Sequence, residues 1–116
     1  MDMCQYSHMS RSADLETASA LFKALGSPLR LDLVTTLDEV GPLCVHELVT
    51  RLGVPQPLVS QHLRVLREAD VVRGVRRGKE IAYEIADAHV AHVVRDAVRH
   101  AGEPDPVRGQ AEGRAS

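Results

Sequence analysis

Aromatic residues are almost missing from this 116-residue chain: Tyr6, Phe22 and Tyr83 are the whole complement, and there is no tryptophan. Single-strand binders stack bases on aromatic platforms, so the composition argues against that class. Long apolar runs are missing too. No stretch approaches the eighteen or so uncharged apolar residues of a membrane helix. The N-terminus shows no basic region followed by an apolar one, so no signal peptide is expected and a cytoplasmic location is. The two cysteines, Cys4 and Cys44, are too few for a disulfide framework; in such a compartment they read as metal ligands or as plain core thiols. The net charge of -2 excludes a chain that is basic throughout, but not a local basic patch. The remaining composition, 44% hydrophobic and 26% charged, is that of an ordinary globular domain, and one this short gains from a partner subunit.

Residues 1–12 (MDMCQYSHMSRS) have no period and read as a flexible arm. Residues 104–116, rich in Gly, Pro and small polar residues, read as a disordered tail. Between them, residues 13–103 are densely patterned. Leu15, Ala18, Phe22 and Leu25 recur at helical spacing before Gly26. Ser27-Pro28 is a cap followed by proline at the first helical position, and Leu29, Leu33, Val34 and Leu37 form a second stripe. After Gly41-Pro42, Val45, Leu48, Val49 and Leu52 predict a short third helix that stops at Gly53.

The segment 55–70 places Leu58, Val59, Leu63 and Leu66 on one face. Gln56, Pro57, Ser60, Gln61, Arg64 and Arg67 lie on the other. A short helix, a turn with glycine and a second amphipathic helix make a helix-turn-helix pattern, though a helical bundle with a solvated polar face shares it. Amide, hydroxyl and guanidinium groups on that polar stripe match the hydrogen-bonding edges of the major groove. Ser60, Gln61 and Arg64 are the expected base contacts. His62 falls on the inward edge and reads as structural.

Residues 71–85 change period. Two β-branched runs flank Arg77-Gly78-Lys79, which predicts a hairpin with a basic tip. Six cations against three carboxylates give residues 60–80 a local balance of +3, placed where a duplex would be touched. Arg77 and Lys79 are the expected phosphate contacts, which position rather than specify; simple solvation of the tip is the other reading. The expected fold is mostly α with a small β-hairpin, a winged helix-turn-helix.

A final helix is expected over roughly 88–101, with Val90, Val93, Val94, Ala97 and Val98 on its apolar side. Asp87, His89, His100 and Glu103 are donors suited to a divalent ion such as zinc. His89 and His100 share a helical face but stand roughly 16 Å apart at about 1.5 Å per residue. Ligands at about 2 Å cannot reach one ion from both ends of one helix. Two antiparallel copies solve this, with the Asp87/His89 end of one against the His100/Glu103 end of the other, giving two equivalent sites per dimer. A polar helix that simply carries three histidines is the plainer reading. Cys4 and His8 in the arm, with Cys44 and Glu47 at the start of the third helix, would make a second, sulfur-containing site; by spacing alone, Cys44 as a small buried residue and a free arm is the stronger reading.

These features resemble the ArsR/SmtB family of metal-responsive transcriptional repressors. The carriers are Cys44-Val45-His46-Glu47-Leu48, Val59-Ser60-Gln61-His62-Leu63, the Arg77-Gly78-Lys79 hairpin and Asp87-x-His89-x10-His100-x2-Glu103, the spacing of the family's zinc-sensing site. The resemblance implies a homodimer whose metal-free form binds an inverted repeat of double-stranded operator DNA. It implies release when zinc binds across the paired final helices, with cobalt fitting the same donors. It also implies that His100, metal-bound through one ring nitrogen, reaches a backbone carbonyl near Asp70 with the other. This chain has Glu47 where the family often has Asp, His46 where it commonly has a second Cys, and Pro55 where relatives often have a Ser cap. No catalytic residues are expected: closed sites across a dimer leave no open coordination position. A winged-helix repressor triggered by thiol oxidation at Cys4 or Cys44 is the competing function.

Overall fold

A computed structural model describes the backbone of residues 2–104 and the side chains of residues 11–104. The elements run α1 (Asp2–Leu25), α2 (Pro28–Val40), β1 (Leu43–Cys44), α3 (Val45–Leu52), α4 (Gln56–Glu68), β2 (Val72–Arg77), β3 (Glu80–Ile85) and α5 (Ala88–Gly102). The helical backbone of α1 therefore begins at Asp2, inside the segment expected to be an arm. The side chains of Cys4 and His8, and the tail from residue 105, lie outside the described residues.

Local signals set the boundaries. The Ser27 hydroxyl accepts from the Arg30 amide at 3.4 Å and Pro28 opens α2, where its missing N–H costs nothing. Gly53 ends α3 in the left-handed region at φ 65, which glycine adopts without a Cβ penalty. Pro55 caps α4 without a side-chain acceptor; its carbonyl takes the Leu58 and Val59 amides, both at 3.1 Å. Asp70, at φ 59, turns the chain out of α4 and into the sheet.

The core is built where three helical stripes meet. Leu33, Val34 and Leu37 of α2, Leu48 of α3, and Val59, Leu63 and Leu66 of α4 are all buried, closed over by Val71, Val72, Val90 and Val94. Leu58 does not join them. It is 39% exposed, because the buried positions of α4 follow the 59–63–66 line and Leu58 sits a quarter turn outside it. His62 is structural as expected: its Nδ1 accepts from Arg30 Nε at 3.0 Å, and the same guanidinium reaches the Ala24 carbonyl at 3.3 Å, tying α4 to the last turn of α1.

β2 and β3 pair antiparallel from Val72↔Ile85 to Arg77↔Glu80. Gly78, at φ 67, supplies the left-handed residue that a two-residue hairpin turn requires. β1 adds a third strand beside β3, giving the order β1-β3-β2; the sequence pattern anticipates the hairpin but not this two-residue strand.

Two apolar faces remain outward. Of the α1 stripe, Leu25 is buried, whereas Leu15 and Phe22 are 60% and 59% exposed. On α5, Val90, Ala91 and Val94 pack inward, while Val93 and Val98 face out.

Candidate functional site

Because Val59, Leu63 and Leu66 face the core, the opposite surface of α4 is open to solvent. Gln56, Pro57, Ser60, Gln61, Arg64 and Arg67 are all exposed there, and the exposed Arg64 pairs with Glu68, one turn on at 3.2 Å. Beside it, α4 and the hairpin enclose a cleft of about 480 Å³ lined by Arg67, Gly74, Arg76, Lys79, Glu80 and Ile81. Arg67 and Arg76 thus join Lys79 as cations facing one groove. Arg67, from the polar stripe of α4, and Arg76 extend the cationic set beyond the expected base and phosphate contacts, and both belong to the local positive balance of residues 60–80.

Arg77 sits differently. Its guanidinium pairs with the Glu47 carboxylate and reaches the Pro42 carbonyl at 3.4 Å, so it braces the wing against the start of α3. Glu47 Oε1 also accepts the Cys44 amide at 2.9 Å, the backward reach of a third-position glutamate at a helix start. That amide bond, and next the Arg77 hydrogen bond, hold the Glu47 carboxyl below its usual range. Pairing with Glu47 raises Arg77 in turn. The Cys44 thiol is pushed up, first by burial and then by its hydrogen bond with Glu80, whose carboxylate also lies 3.6 Å from His46 Nδ1. Cys44 and Glu47 are therefore neighbours as expected, but the carboxylate is already engaged by a cation and an amide.

On α5 the four expected donors form two pairs. Asp87 caps the helix, accepting from the His89 amide at 2.9 Å and the Val90 amide at 3.4 Å, and its Oδ1 lies 3.6 Å from His89 Nδ1. At the other end, His100 Nδ1 is 3.9 Å from Glu103. Both imidazoles are open to solvent, at 102% and 83% side-chain exposure. Imidazole and carboxylate suit zinc, so the residues fit a divalent ion chemically. Among the described residues of one chain, no group of three or more His, Cys, Asp or Glu side chains converges. The third α5 histidine, His92, pairs with Asp96 at 3.2 Å. Arg95 grips Asp38 through two nitrogens, both at 3.1 Å, which fixes α5 on α2. Among the described residues, no helix is long and apolar enough to cross a membrane.

Residues 27–73, from the cap of α2 into β2, match the family described as bacterial regulatory protein, arsR family. The HTH-type transcriptional repressor SmtB of Mycobacterium tuberculosis (strain ATCC 25618 / H37Rv) is 55% identical over 89 residues, which are 77% of this chain and 65% of that protein. The match thus spans just under two thirds of that relative's length. The crystal structure of the transcriptional repressor BigR from Xylella fastidiosa is 36% identical with a TM-score of 0.69, covering 86% of this chain and 98% of that one. A homodimeric winged helix-turn-helix DNA-binding domain, Mb0332 from Mycobacterium bovis, superposes with a TM-score of 0.67 at 26% identity, covering 78% of this chain and 83% of that one. Its fold is a winged helix-turn-helix, and the chain belongs to the arsR family of bacterial regulatory proteins, which are transcriptional regulators rather than enzymes.

Proposed function

We propose that this chain is a metal-responsive transcriptional repressor: a homodimer that binds operator DNA when metal-free and lets go when a divalent ion, zinc in the first instance, is held between its two α5 helices. The single observation that carries this reading is the pairing of donors at opposite ends of one exposed helix, Asp87 with His89 and His100 with Glu103. Each pair is half of a four-ligand shell. Two α5 helices in antiparallel contact bring unlike halves together twice, as a two-fold requires. The outward Val93 and Val98 of α5, with Leu15 and Phe22 of α1, supply the apolar surface such a contact would cover, and a homodimeric relative of the same fold supports the assembly.

In this reading Gln56, Pro57, Ser60, Gln61 and Arg64 enter the major groove of an inverted repeat, and Lys79 takes a phosphate from the wing. Arg77 contributes to the same positive surface while holding the wing in place. Cobalt would suit the same donors. Release requires that the ion bind the two dimer forms unequally, since a ligand shifts an equilibrium only by its differential affinity. A second imidazole bond from His100 to a carbonyl near Asp70 would carry the shift from α5 to the end of α4, in line with the usual partnering of metal-bound histidine. A site built from Cys4, His8, Cys44 and Glu47 is secondary in this account, because an ion there must displace Arg77 from Glu47.

The test is a zinc titration of the full chain on a duplex from its own promoter, followed by anisotropy. Wild type is expected to dissociate as zinc is added. His89→Ala and His100→Asn should bind the duplex and stay bound, and Cys4→Ser with Cys44→Ser should still be released. Release of His89→Ala at the wild-type zinc concentration would overturn the assignment.

A further inference from the structure

We infer that Leu58 reads the 5-methyl group of a thymine, beside an adenine read by Gln61, and so makes the chain's DNA recognition depend on a methyl group as well as on hydrogen bonds. The inference deepens the DNA-binding reading above and rests on it. Three of the four leucines and valines on the expected apolar face of α4, Val59, Leu63 and Leu66, are buried to 1% exposure or less, whereas Leu58 is 39% exposed. It is the only large hydrophobic side chain of α4 left open. The other open large hydrophobics lie on α1, α2, the hairpin and α5; Val75 and Ile81 belong to the wing, so on the recognition helix itself Leu58 is the one large apolar side chain left for a base edge.

Its neighbours decide what it could meet. Leu58 lies in the first turns of α4, where a recognition helix presents side chains to base edges, among the exposed Gln56, Pro57, Ser60 and Gln61. Gln61 is three residues on, and side chains at that spacing are adjacent on a helix surface. In the major groove an A·T pair offers adenine N7 and N6, which a glutamine amide matches with two hydrogen bonds. Beyond these come thymine O4 and the methyl group, which only an apolar side chain complements. A Gln–Leu pair on one helix surface therefore presents the polar and apolar halves of one A·T edge, or of two adjacent ones. A leucine has nothing to offer the amino and keto groups of a G·C edge.

The experiment uses the full chain and a duplex enriched by it from a random pool. Each thymine is replaced singly by deoxyuridine, which removes the methyl and leaves every hydrogen-bonding group. Wild type is expected to lose about four-fold in affinity at one defined thymine, the worth of one buried methyl-sized contact. Leu58→Ala should bind parent and uracil duplexes equally at that position, and Leu58→Met, still apolar, should keep most of the discrimination. Equal binding of wild type to every uracil duplex would overturn the inference, as would an undiminished uracil penalty in Leu58→Ala. Should Leu58→Ala fail to fold by circular dichroism, Leu58→Gln, of similar length but polar at its end, takes its place: loss of the uracil penalty is expected, and an undiminished penalty overturns the inference. If no duplex is enriched at all, the DNA-binding reading fails and this inference with it, a result distinct from tight but methyl-blind binding.

Discussion

Arg77 at the end of β2 and Glu47 in the first turn of α3 form an ion pair that fastens the wing to the helix preceding the recognition helix. Glu47 has a second partner in the Cys44 amide, so the two residues are not equivalent. In metal-free protein, Glu47→Ala should lower the melting temperature more than Arg77→Ala, because it also strips the start of α3 of an acceptor. Acid dependence follows from the lowered carboxyl. A group whose folded value lies below its ordinary 4.5 adds stability above that pH and loses it as pH falls through the folded value. Thermal melts from neutral pH downward should show this loss in wild type and a weaker one in Glu47→Gln. Parallel curves would remove Glu47 from the account.

Thiol chemistry at Cys44 should be slow. The side chain is 2% exposed, and burial and the Glu80 hydrogen bond both raise its pKa; each unit of increase cuts the thiolate fraction about ten-fold. In a Cys4→Ser background, iodoacetamide should modify native Cys44 far more slowly than the unfolded chain. Equal rates would revive oxidation of Cys44 as a trigger.

Phe22 offers a contrast between monomer and dimer. Within one chain it is 59% exposed, so Phe22→Ala should barely change the stability of a dissociated subunit. In the proposed dimer the ring is covered. Burying such a side chain is worth about 1.5–3 kcal/mol, so sedimentation should show the dissociation constant rising by at least about ten-fold. By comparison Leu63→Ala, at a position 1% exposed, should cost about 2–5 kcal/mol in any state.

Gly74 is fixed by its cross-strand company. A Cβ there would stand 2.9 Å from Ile81 Cγ2. That atom is the branch methyl on Ile81 Cβ, so relief needs a χ1 change or a strand shift, and Gly74→Ala should cost about 1–3 kcal/mol. Chemical denaturation of the double variant with Ile81→Ala should recover most of that loss; an additive loss would contradict the clash.

The parts of this molecule that were readable in its sequence are the parts set by local rules. The stripes of α2, α3 and α4 follow the 3.6-residue period, Ser27-Pro28 and Gly53 punctuate them, and Gly78 marks the hairpin turn. Spacing along α5 was readable too, since helical rise alone separates His89 from His100. What escaped depends on distant partners. β1 is two residues long and exists only because β3 lies beside it. Arg77 reads as a free basic tip because Glu47, thirty residues earlier, gives no local sign of reaching it. Leu58 fits an apolar stripe by count, yet the core turns away just before it. The Leu15–Phe22 stripe reads as apolar, but nothing in the sequence says that Leu15 and Phe22 stay open among the described residues.

The central claim is that each ion is shared by unlike ends of two α5 helices, and subunit mixing tests it most directly. One variant carries Asp87→Ala with His89→Ala, the other His100→Ala with Glu103→Ala. Alone, each dimer lacks half of both shells and should bind zinc weakly. After mixing and exchange, each heterodimer holds one complete shell, so tight zinc binding at one ion per heterodimer should reappear in a competition titration with a chelating dye. No gain on mixing, or full-strength zinc binding by either variant alone, would contradict the account.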